Sequence, residues 1–280
     1  MTPEPAAGER TAQQLREQYE IEKQLADRLR TAPRQERRHL YASAYDELYQ
    51  RVPHHPQLTQ KSCPHETAKA VASQMRFLGR FLNKDTIFLE IGAGDCALSF
   101  EVAGFVKSVY AVDVSEEITR NARPPLNFRL ILSDGCSIPL PRASVNVCYS
   151  NQLMEHLHPD DALEQLENIV KVLVPGGVYI CITPNRLTGP HDISRHFDAV
   201  ATGFHLREYT RTELRDLFKA AGFSRSGVYL AGRGRYLRSP MWPIGWCEGL
   251  LSALPTTLRR AIGSRLPFRL VLESRLVGTK

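Results

Sequence analysis

A glycine-rich turn, followed at a set distance by an acidic residue, is the clearest chemical signal in this chain of 280 residues. The motif Glu90-Ile-Gly92-Ala93-Gly94 follows an apolar run and precedes a helical stretch, and Asp113 ends the next apolar run. Glycines let the backbone turn sharply and approach a ligand closely. A carboxylate at the position of Asp113 can accept hydrogen bonds from both hydroxyls of a ribose. The pattern therefore predicts a site for a nucleoside-containing ligand.

Two classes of ligand fit this motif. The spacing Gly92-x-Gly94-x-x-Ala97 also satisfies the dinucleotide fingerprint, so an NAD(P)-dependent oxidoreductase stays open. Glu90 favours the other class, because its charge would oppose a pyrophosphate and suits a ligand that carries an ammonium group. Asp134-Gly135 follows a third apolar run and is placed to accept from an exocyclic amine such as that of adenine, although Asp134 could equally cap a turn.

The elements that must position these residues alternate along the chain. Short β-rich runs are separated by segments long enough for helices, and the runs are 86–91, 108–112, 127–132, 144–149 and 177–183. Such alternation predicts an α/β protein with a parallel sheet covered on both faces. A sheet of this kind binds its ligand at the carboxyl ends of its strands. Two further strand-like runs, 225–231 and 268–278, follow a helix predicted at 211–221.

Composition excludes several other classes of protein. Hydrophobic residues make up 42% and charged residues 24%, which is typical of a globular chain with a substantial core. We find no signal sequence and no run of about 18 apolar residues that would cross a membrane. The cysteines are scattered without a CxxC pair, which favours reduced thiols and argues against a zinc site. The sequence thus predicts a cytoplasmic protein with no metal.

Six segments in the central half of the chain resemble, in order and spacing, the class I S-adenosylmethionine-dependent methyltransferases, particularly the type 11 group. They are FLEIGAGDCALS, VYAVDVSEEI, LILSDGCSIPL, VNVCYSNQLMEHL, VLVPGGVYICITPN and HLREYTRTEL. The resemblance implies a Rossmann-like, doubly wound, seven-stranded and mostly parallel sheet whose last strand is antiparallel. We divide the chain accordingly into an N-terminal helical extension, a cofactor-binding core, a basic insertion and a final strand, at 1–60, 61–231, 232–267 and 268–280.

The same resemblance implies that S-adenosylmethionine is the cofactor and that its methyl group is transferred to an acceptor, with oxygen on a small or lipid- or sugar-linked molecule favoured. It assigns to the cofactor the residues Glu90, Gly92, Ala93, Gly94, Asp113, Val114, Asp134, Gly135, Ser150, Asn151 and Gln152. Glu90 and Gly92–Gly94 would contact the methionine moiety, and Asp113 and Val114 the ribose and the adenine. Asp134 and Gly135 would lie at the adenine amine, and the last three residues near the sulfonium. The chain departs from the family at Cys96, where a third glycine is common.

Three histidines are candidates for a general base, which would assist transfer to a hydroxyl acceptor. His156 follows the fourth strand-like run, and His191 and His196 lie in the loop after the fifth. Packing is the alternative role for His156, and exposure in a loop is the alternative for the other two. A protein that binds the cofactor without turnover is a rival to the enzyme.

Basic residues are concentrated near the C-terminus. Between residues 231 and 280 nine Lys and Arg outnumber two Asp and Glu. The insertion 232–267 combines these arginines with Trp242, Trp246 and leucines at helical spacing, a composition typical of interfacial segments. We hypothesise that it makes peripheral contact with an anionic membrane or grips a lipid-linked or phosphorylated acceptor. A solvated helical cap is the alternative, and no RNA-binding module points to nucleic acid.

Overall fold

The fold is described by a computed structural model that covers residues 10–55, 58, 64–114, 123–232, 234–266 and 268–280. Parts of the predicted regions, namely 1–9, 56–57, 59–63, 115–122, Arg233 and Pro267, lie outside the described residues.

One mixed sheet organises the described part of the chain. Its strands are β1 Ile87–Ile91, β2 Ser108–Asp113, β3 Phe128–Leu132, β4 Val145–Asn151, β5 Leu173–Ile182, β6 Arg225–Gly232, β7 Arg235–Ser239 and β8 Arg275–Thr279. They are ordered β3-β2-β1-β4-β5-β8-β6-β7. The first five pair in parallel, and β8 lies antiparallel between β5 and β6. The mostly parallel α/β sheet with an antiparallel last strand is therefore confirmed.

The sheet has eight strands where seven were predicted. The additional strand, β7, lies inside the segment predicted to be an insertion and pairs antiparallel with β6, with Gly232 opposite Arg235. Gly234 makes this hairpin turn with a φ of +75°, a conformation that glycine adopts without strain. The short sequence Arg235–Ser239 does not by itself predict a strand. It is identified as one because it pairs with the edge of β6.

Helices surround the sheet, and their bounds are α1 Ala12–Thr31, α2 Arg34–Arg51, α3 Pro64–Leu78, α4 Ala97–Ala103, α5 Pro159–Val172, α6 Arg211–Ala220, α7 Met241–Ser252, α8 Thr256–Gly263 and α9 Phe268–Leu272. Short 3-10 helices occur at Met154–His156 and Ile193–His196. No helix in the described ranges is both long and apolar enough to cross a membrane.

Successive residues of a strand point to opposite faces, so β1 contributes to two separate cores. Leu89 and Ile91 belong to a core that α1, α2, α5 and α6 complete, whereas Phe88 belongs to a second core with residues of α3 and α4. The two cores lie on opposite faces of the sheet. This arrangement agrees with the predicted covering of both faces.

The C-terminal segment differs from the expectation of one strand over 268–278. Phe268–Leu272 forms α9, and only Arg275–Thr279 joins the sheet. Leu272 is buried against Leu187 and Leu251, and its carbonyl oxygen accepts a hydrogen bond from the Arg211 guanidinium at 2.9 Å. Packing against α7 and α8 thus outweighs the strand-like alternation of this sequence.

Candidate active site

A cavity of about 360 Å³ lies at the carboxyl ends of β1, β2 and β4. Its walls include the turn Gly92–Gly94, the end of β2 at Asp113, the loop Asn151–Leu153 and His156. Residues of α2 and α3 complete the lining. An open α/β sheet binds its ligand at this edge, so the position agrees with the one that the sequence predicts.

The glycine turn has the backbone that close approach of a ligand requires. Gly92 and Gly94 have φ values of +71° and +54°. A Cβ on Gly92 would lie 3.0 Å from a methyl group of Leu153, so a side chain would crowd the turn as well as strain it. Cys96 adopts a φ of +57°, a conformation that costs a non-glycine residue roughly 1–2 kcal/mol. The turn therefore keeps a left-handed conformation at this position although the common third glycine is a cysteine.

Asp113 is fixed between the glycine turn and its own strand. Its Oδ2 accepts a hydrogen bond from the Gly94 amide at 2.8 Å, and its Oδ1 accepts one from the Val114 amide at 2.7 Å. A carboxylate is an acceptor with two oxygens, which is the chemistry that the two hydroxyls of a ribose require. Asp113 and Val114 both line the cavity, as does Ala93. This geometry suits a ribose diol.

Glu90 lies beneath the turn and is buried. Burial is the main reason that the pKa of Glu90 rises to about 8. The hydrogen bond that Ser99 Oγ donates to Oε2 at 2.6 Å acts in the opposite direction and lowers the pKa. Without a ligand the carboxyl is therefore mostly neutral at pH 7. Its negative charge, expected from the sequence, is favoured when a cation such as an ammonium group approaches.

Asp134 does not line the cavity. Its Oδ1 accepts hydrogen bonds from the amides of Cys136 and Ser137 at 3.0 and 2.7 Å, and its Oδ2 accepts one from the Ser137 hydroxyl at 2.9 Å. Arg38 lies 3.4 Å from the same carboxylate. Asp134 thus caps its own turn, which was the alternative role considered from the sequence.

Gln165 takes the place at the cavity wall that was expected of Asp134. It donates from Nε2 to the carbonyl oxygen of Gly135 at 2.6 Å, and both residues line the cavity. Its Oε1 is buried and has no hydrogen-bond partner within the described structure. Sequence reasoning missed Gln165, although a polar residue in the buried stripe of α5, beside Ala162 and Leu166, is an available signal.

The three residues predicted near the sulfonium separate in the structure. Asn151 and Gln152 line the cavity, and Gln152 has a left-handed φ of +56° at the turn after β4. Ser150 is buried, and its hydroxyl lies 2.7 Å from the Tyr179 hydroxyl, outside the cavity lining. Its hydroxyl therefore belongs to the interior of the sheet.

Of the three candidate histidines, His156 lines the cavity and the other two do not. The backbone amide of His191 donates a hydrogen bond to Glu208 Oε1 at 2.7 Å, and the Nε2 atom of its ring lies 3.1 Å from Thr188 Oγ1. His196 is exposed and accepts a hydrogen bond from Arg195. The loop after β5 thus carries its histidines outside the cavity.

Burial and the neighbouring His205 lower the pKa of His156 to about 3, so the ring stays neutral at physiological pH. His205 is charged more readily than an ordinary histidine. Although burial opposes its charge, the hydrogen bond to Glu208 at 2.7 Å raises the pKa of His205. Burial likewise opposes ionisation of Glu208, but hydrogen bonds from His191 and His205 lower its pKa to about 2.

Glu155, His156 and His205 also place possible metal-ligand atoms within 4.8 Å of one another. The His205 ring is already engaged, because its Nδ1 lies 2.7 Å from Glu208 Oε1. Glu155 Oε2 accepts a hydrogen bond from Thr183 at 2.7 Å. Because these contacts hold two of the three side chains in place, we assign the cluster a structural role in positioning His156.

Three tyrosines of α2 form an aromatic wall of the cavity, and they are Tyr41, Tyr45 and Tyr49. The helix is anchored by a buried ion pair in which Arg37 Nε and Nη2 donate to the two oxygens of Asp161 at 2.7 and 2.8 Å. The Tyr41 hydroxyl donates to Asp161 at 2.8 Å. Sequence reasoning did not connect these residues to the site, although their spacing of four residues already put them on one helical face.

Comparisons with known proteins point to one family. Residues 89–181 match the family described as "Methyltransferase domain". Proteins of Mycolicibacterium smegmatis and Mycobacterium tuberculosis, both named as probable S-adenosylmethionine-dependent methyltransferases, are 33% identical over 138 residues and 32% identical over 136 residues. Each match covers 48% of this chain, and 51% and 47% of the respective relatives. The chain thus spans about half the length of the curated relatives that it matches.

Solved structures share the fold at low sequence identity. Phosphoethanolamine N-methyltransferase 1 of Haemonchus contortus, solved with phosphoethanolamine and S-adenosylhomocysteine, matches 89% of this chain and 50% of its own. The TM-score is 0.56 and the identity 16%. A SAM-dependent methyltransferase of Archaeoglobus fulgidus matches 76% of this chain and 94% of its own, with a TM-score of 0.50 and 14% identity.

Proposed function

We propose that this chain, which carries a class I S-adenosylmethionine-dependent methyltransferase domain, transfers a methyl group from that cofactor to a hydroxyl oxygen of an acceptor bound beside His156. One observation carries the proposal. A single cavity joins a nucleoside-type wall, formed by Gly92–Gly94 and Asp113, to an aromatic wall with a neutral histidine.

The residues of the cavity fit the cofactor. The turn Gly92–Gly94 lines the cavity with two glycines that carry no side chain, and Asp113 lines it with a carboxylate, the acceptor chemistry that the ribose hydroxyls require. The orphaned Oε1 of Gln165 offers an acceptor to the adenine amine. Glu90 can ionise in response to the ammonium group of the methionine moiety. The ribose hydroxyls, the adenine amine and the ammonium group of the cofactor therefore each have a partner of suitable chemistry.

S-adenosylmethionine supplies a methyl group on a sulfonium, and its departure leaves a neutral thioether. The protein's own contribution is to align the acceptor and to exclude water. Tyr45 and Tyr49 close one side of the cavity and present flat apolar surfaces to the acceptor. The His156 ring accepts the hydroxyl proton as the new bond between oxygen and carbon forms.

An oxygen acceptor is favoured by the neutral His156, because one ring nitrogen can accept from a hydroxyl and the ring has no positive charge to repel a cationic sulfonium. The tyrosine wall favours an acceptor with an apolar or aromatic portion. A small molecule and a lipid- or sugar-linked molecule both satisfy these requirements.

Calorimetric titration of S-adenosylmethionine and S-adenosylhomocysteine tests the cofactor site. We expect binding by the wild type and its loss in Asp113→Ala. Asp85→Ala is the matched control, because Asp85 is an exposed carboxylate in the turn before β1. Loss of binding in the control as well would make the effect of Asp113 nonspecific and contradict the assignment.

Two outcomes would overturn the proposal at different levels. Binding of NADH in place of S-adenosylmethionine would favour the oxidoreductase that the glycine motif leaves open. Binding of S-adenosylmethionine without transfer of its labelled methyl group to any small-molecule, lipid or glycan extract would favour a cofactor-binding protein without turnover.

A further inference from the structure

We propose that the segment 235–266 docks on the surface of an anionic phospholipid membrane through an exposed tryptophan stripe, which we define as Trp242, Trp246 and Leu250 of α7. The inference goes beyond methyl transfer and does not depend on it, because it concerns a surface and can be measured without turnover.

The stripe lies on one side of α7. Trp242, Trp246 and Leu250 are spaced by four residues and therefore follow one another along a single helical face. The opposite face is buried through Ile244 and Leu251. The helix thus already uses one apolar side for the core of the protein, and it presents a second apolar side outward.

The exposure of this side is large. Trp242 and Trp246 are 76% and 69% exposed. Of the ten large apolar side chains found mostly exposed among the described residues, six lie between 237 and 266. Isolated exposed apolar side chains are common on proteins, but a concentration of this kind marks an interaction surface.

The charge of the same segment identifies the partner as anionic. Residues 235–266 contain five arginines and one acidic residue, Glu248. Glu248 is buried and accepts hydrogen bonds from the amides of Arg211 and Thr212 at 2.6 and 3.0 Å and from Asn185 at 2.9 Å. The described part of the segment consequently exposes no carboxylate to solvent.

The arginines divide into two groups. Arg259 and Arg260 turn inward and donate to the carbonyl oxygens of Leu187 and Gly189 at 3.1 and 2.7 Å. The exposed arginines of the segment are Arg235, Arg238 and Arg265. These side chains can reach phosphate groups, while the inner pair ties the segment to the loop after β5.

A membrane surface fits this combination better than a dry protein interface. Indole rings prefer the boundary between water and lipid, where the ring is buried and the N–H stays hydrated. Arginines beside them add attraction to anionic headgroups. Because α7 keeps its opposite face in the core of the protein, the contact that we propose is peripheral.

The chain offers an internal probe, because its two tryptophans are both in the stripe. Tryptophan emission of the full-length protein would be recorded as vesicles of phosphatidylcholine, with or without phosphatidylglycerol, are added. We expect a blue shift and co-flotation with the anionic vesicles, and weakening of both as salt is raised. Neither signal with anionic vesicles at low salt would overturn the proposal.

Variants distinguish membrane binding by the tryptophan stripe from nonspecific adsorption of the protein to vesicles. We expect flotation to fall about tenfold or more in Trp242→Ser/Trp246→Ser, and to stay unchanged in Leu126→Ser, an exposed leucine outside the segment. Unchanged calorimetric binding of S-adenosylmethionine would show that the double variant is folded. If that cofactor does not bind the wild type, an unchanged melting temperature serves instead, so failure of the proposed function leaves the test intact.

A second copy of the chain is the competing occupant. Light scattering after size-exclusion chromatography would reveal it as a dimer that the double variant loses. That result, with no flotation of the wild type, would reassign the stripe to self-association and overturn membrane docking.

Discussion

The Nδ1 atom of His156 lies 3.0 Å from the backbone carbonyl oxygen of Phe204. A carbonyl oxygen can only accept, so Nδ1 carries the proton and Nε2 of the neutral ring is the acceptor. Phe204 belongs to the segment that also contains His205 and Glu208, whose ion pair holds it in place. The backbone thus selects the tautomer that the proposed role of His156 as proton acceptor requires.

Replacing His156 by Gln is expected to lower methyl transfer by about 10²-fold or more and to leave the affinity for S-adenosylmethionine within a few-fold of the wild type. The physical reason is that the amide cannot take up the acceptor's proton. Incorporation of labelled methyl into an acceptor extract measures the first quantity, and calorimetry measures the second. His191→Gln is the matched control, and an equal loss there would move the base to the loop after β5.

Glu90 is expected to couple cofactor binding to proton release. Its pKa of about 8 without ligand should fall when the ammonium group arrives, because a nearby cation favours the charged carboxylate. Binding should therefore tighten as pH rises from about 6 to about 8, by up to tenfold for each pH unit. Calorimetry in buffers of different ionisation enthalpy counts the protons released. Glu90→Gln should abolish the release, and retention of it in this variant would assign the proton to another group.

Removing Arg37 is expected to destabilise the protein strongly. Arg37→Met leaves the buried Asp161 carboxylate without its guanidinium partner, at a cost of about 3–5 kcal/mol in the free energy of unfolding. Arg16→Met is the control, since Arg16 and Glu20 form an ion pair that is 62% exposed on both sides and worth no more than about 1 kcal/mol. Urea unfolding measures both variants. Similar losses of unfolding free energy in the two variants would mean that burial does not make the Arg37–Asp161 pair more stabilising than an exposed pair.

The pair His205–Glu208 should make stability depend on pH in a defined window. The raised pKa of His205 contributes stability that is fully present below its unfolded value of 6.5 and is lost as pH rises through the folded value. The lowered pKa of Glu208 contributes stability that is present above its unfolded value of 4.5 and is lost as pH falls toward about 2. The pair is therefore most stabilising between about pH 4.5 and 6.5.

His205→Gln tests this window. We expect it to lower the melting temperature most near pH 5.5 and progressively less as pH rises through the raised pKa of His205, where the ring of the wild type loses its charge. Thermal unfolding across this range measures the difference. A penalty that does not change with pH would show that His205 acts through packing alone.

Much of the fold and of the cofactor wall could be predicted from contiguous sequence. The turn Gly92–Gly94, the acid at Asp113 and the helix predicted at 211–221 depend on residues close in the chain, and all three have the predicted local form. The alternation of apolar runs likewise predicted the parallel sheet, since periodicity records which face of an element is buried.

Residues that come from distant elements could not be assigned in this way. Asp134 turns to the amides directly after it, and Gln165 reaches the cavity from a helix thirty residues farther along the chain. The sequence made Asp134 the obvious acceptor because it follows a strand. Only the packing of α5 against the sheet decides which oxygen is left without a partner.

The chain by itself determined the strands, the glycine turn and the basic, tryptophan-containing character of its C-terminal region. The tertiary structure decided that His156, and neither His191 nor His196, meets the cavity, and that β7 extends the sheet. Local patterns specify the conformation and burial of a segment, because both are set by neighbouring residues. Contacts between side chains far apart in the sequence are decided by packing and by ion pairs. Arg37 and Asp161 form such a pair across 124 residues, and no local pattern encodes it.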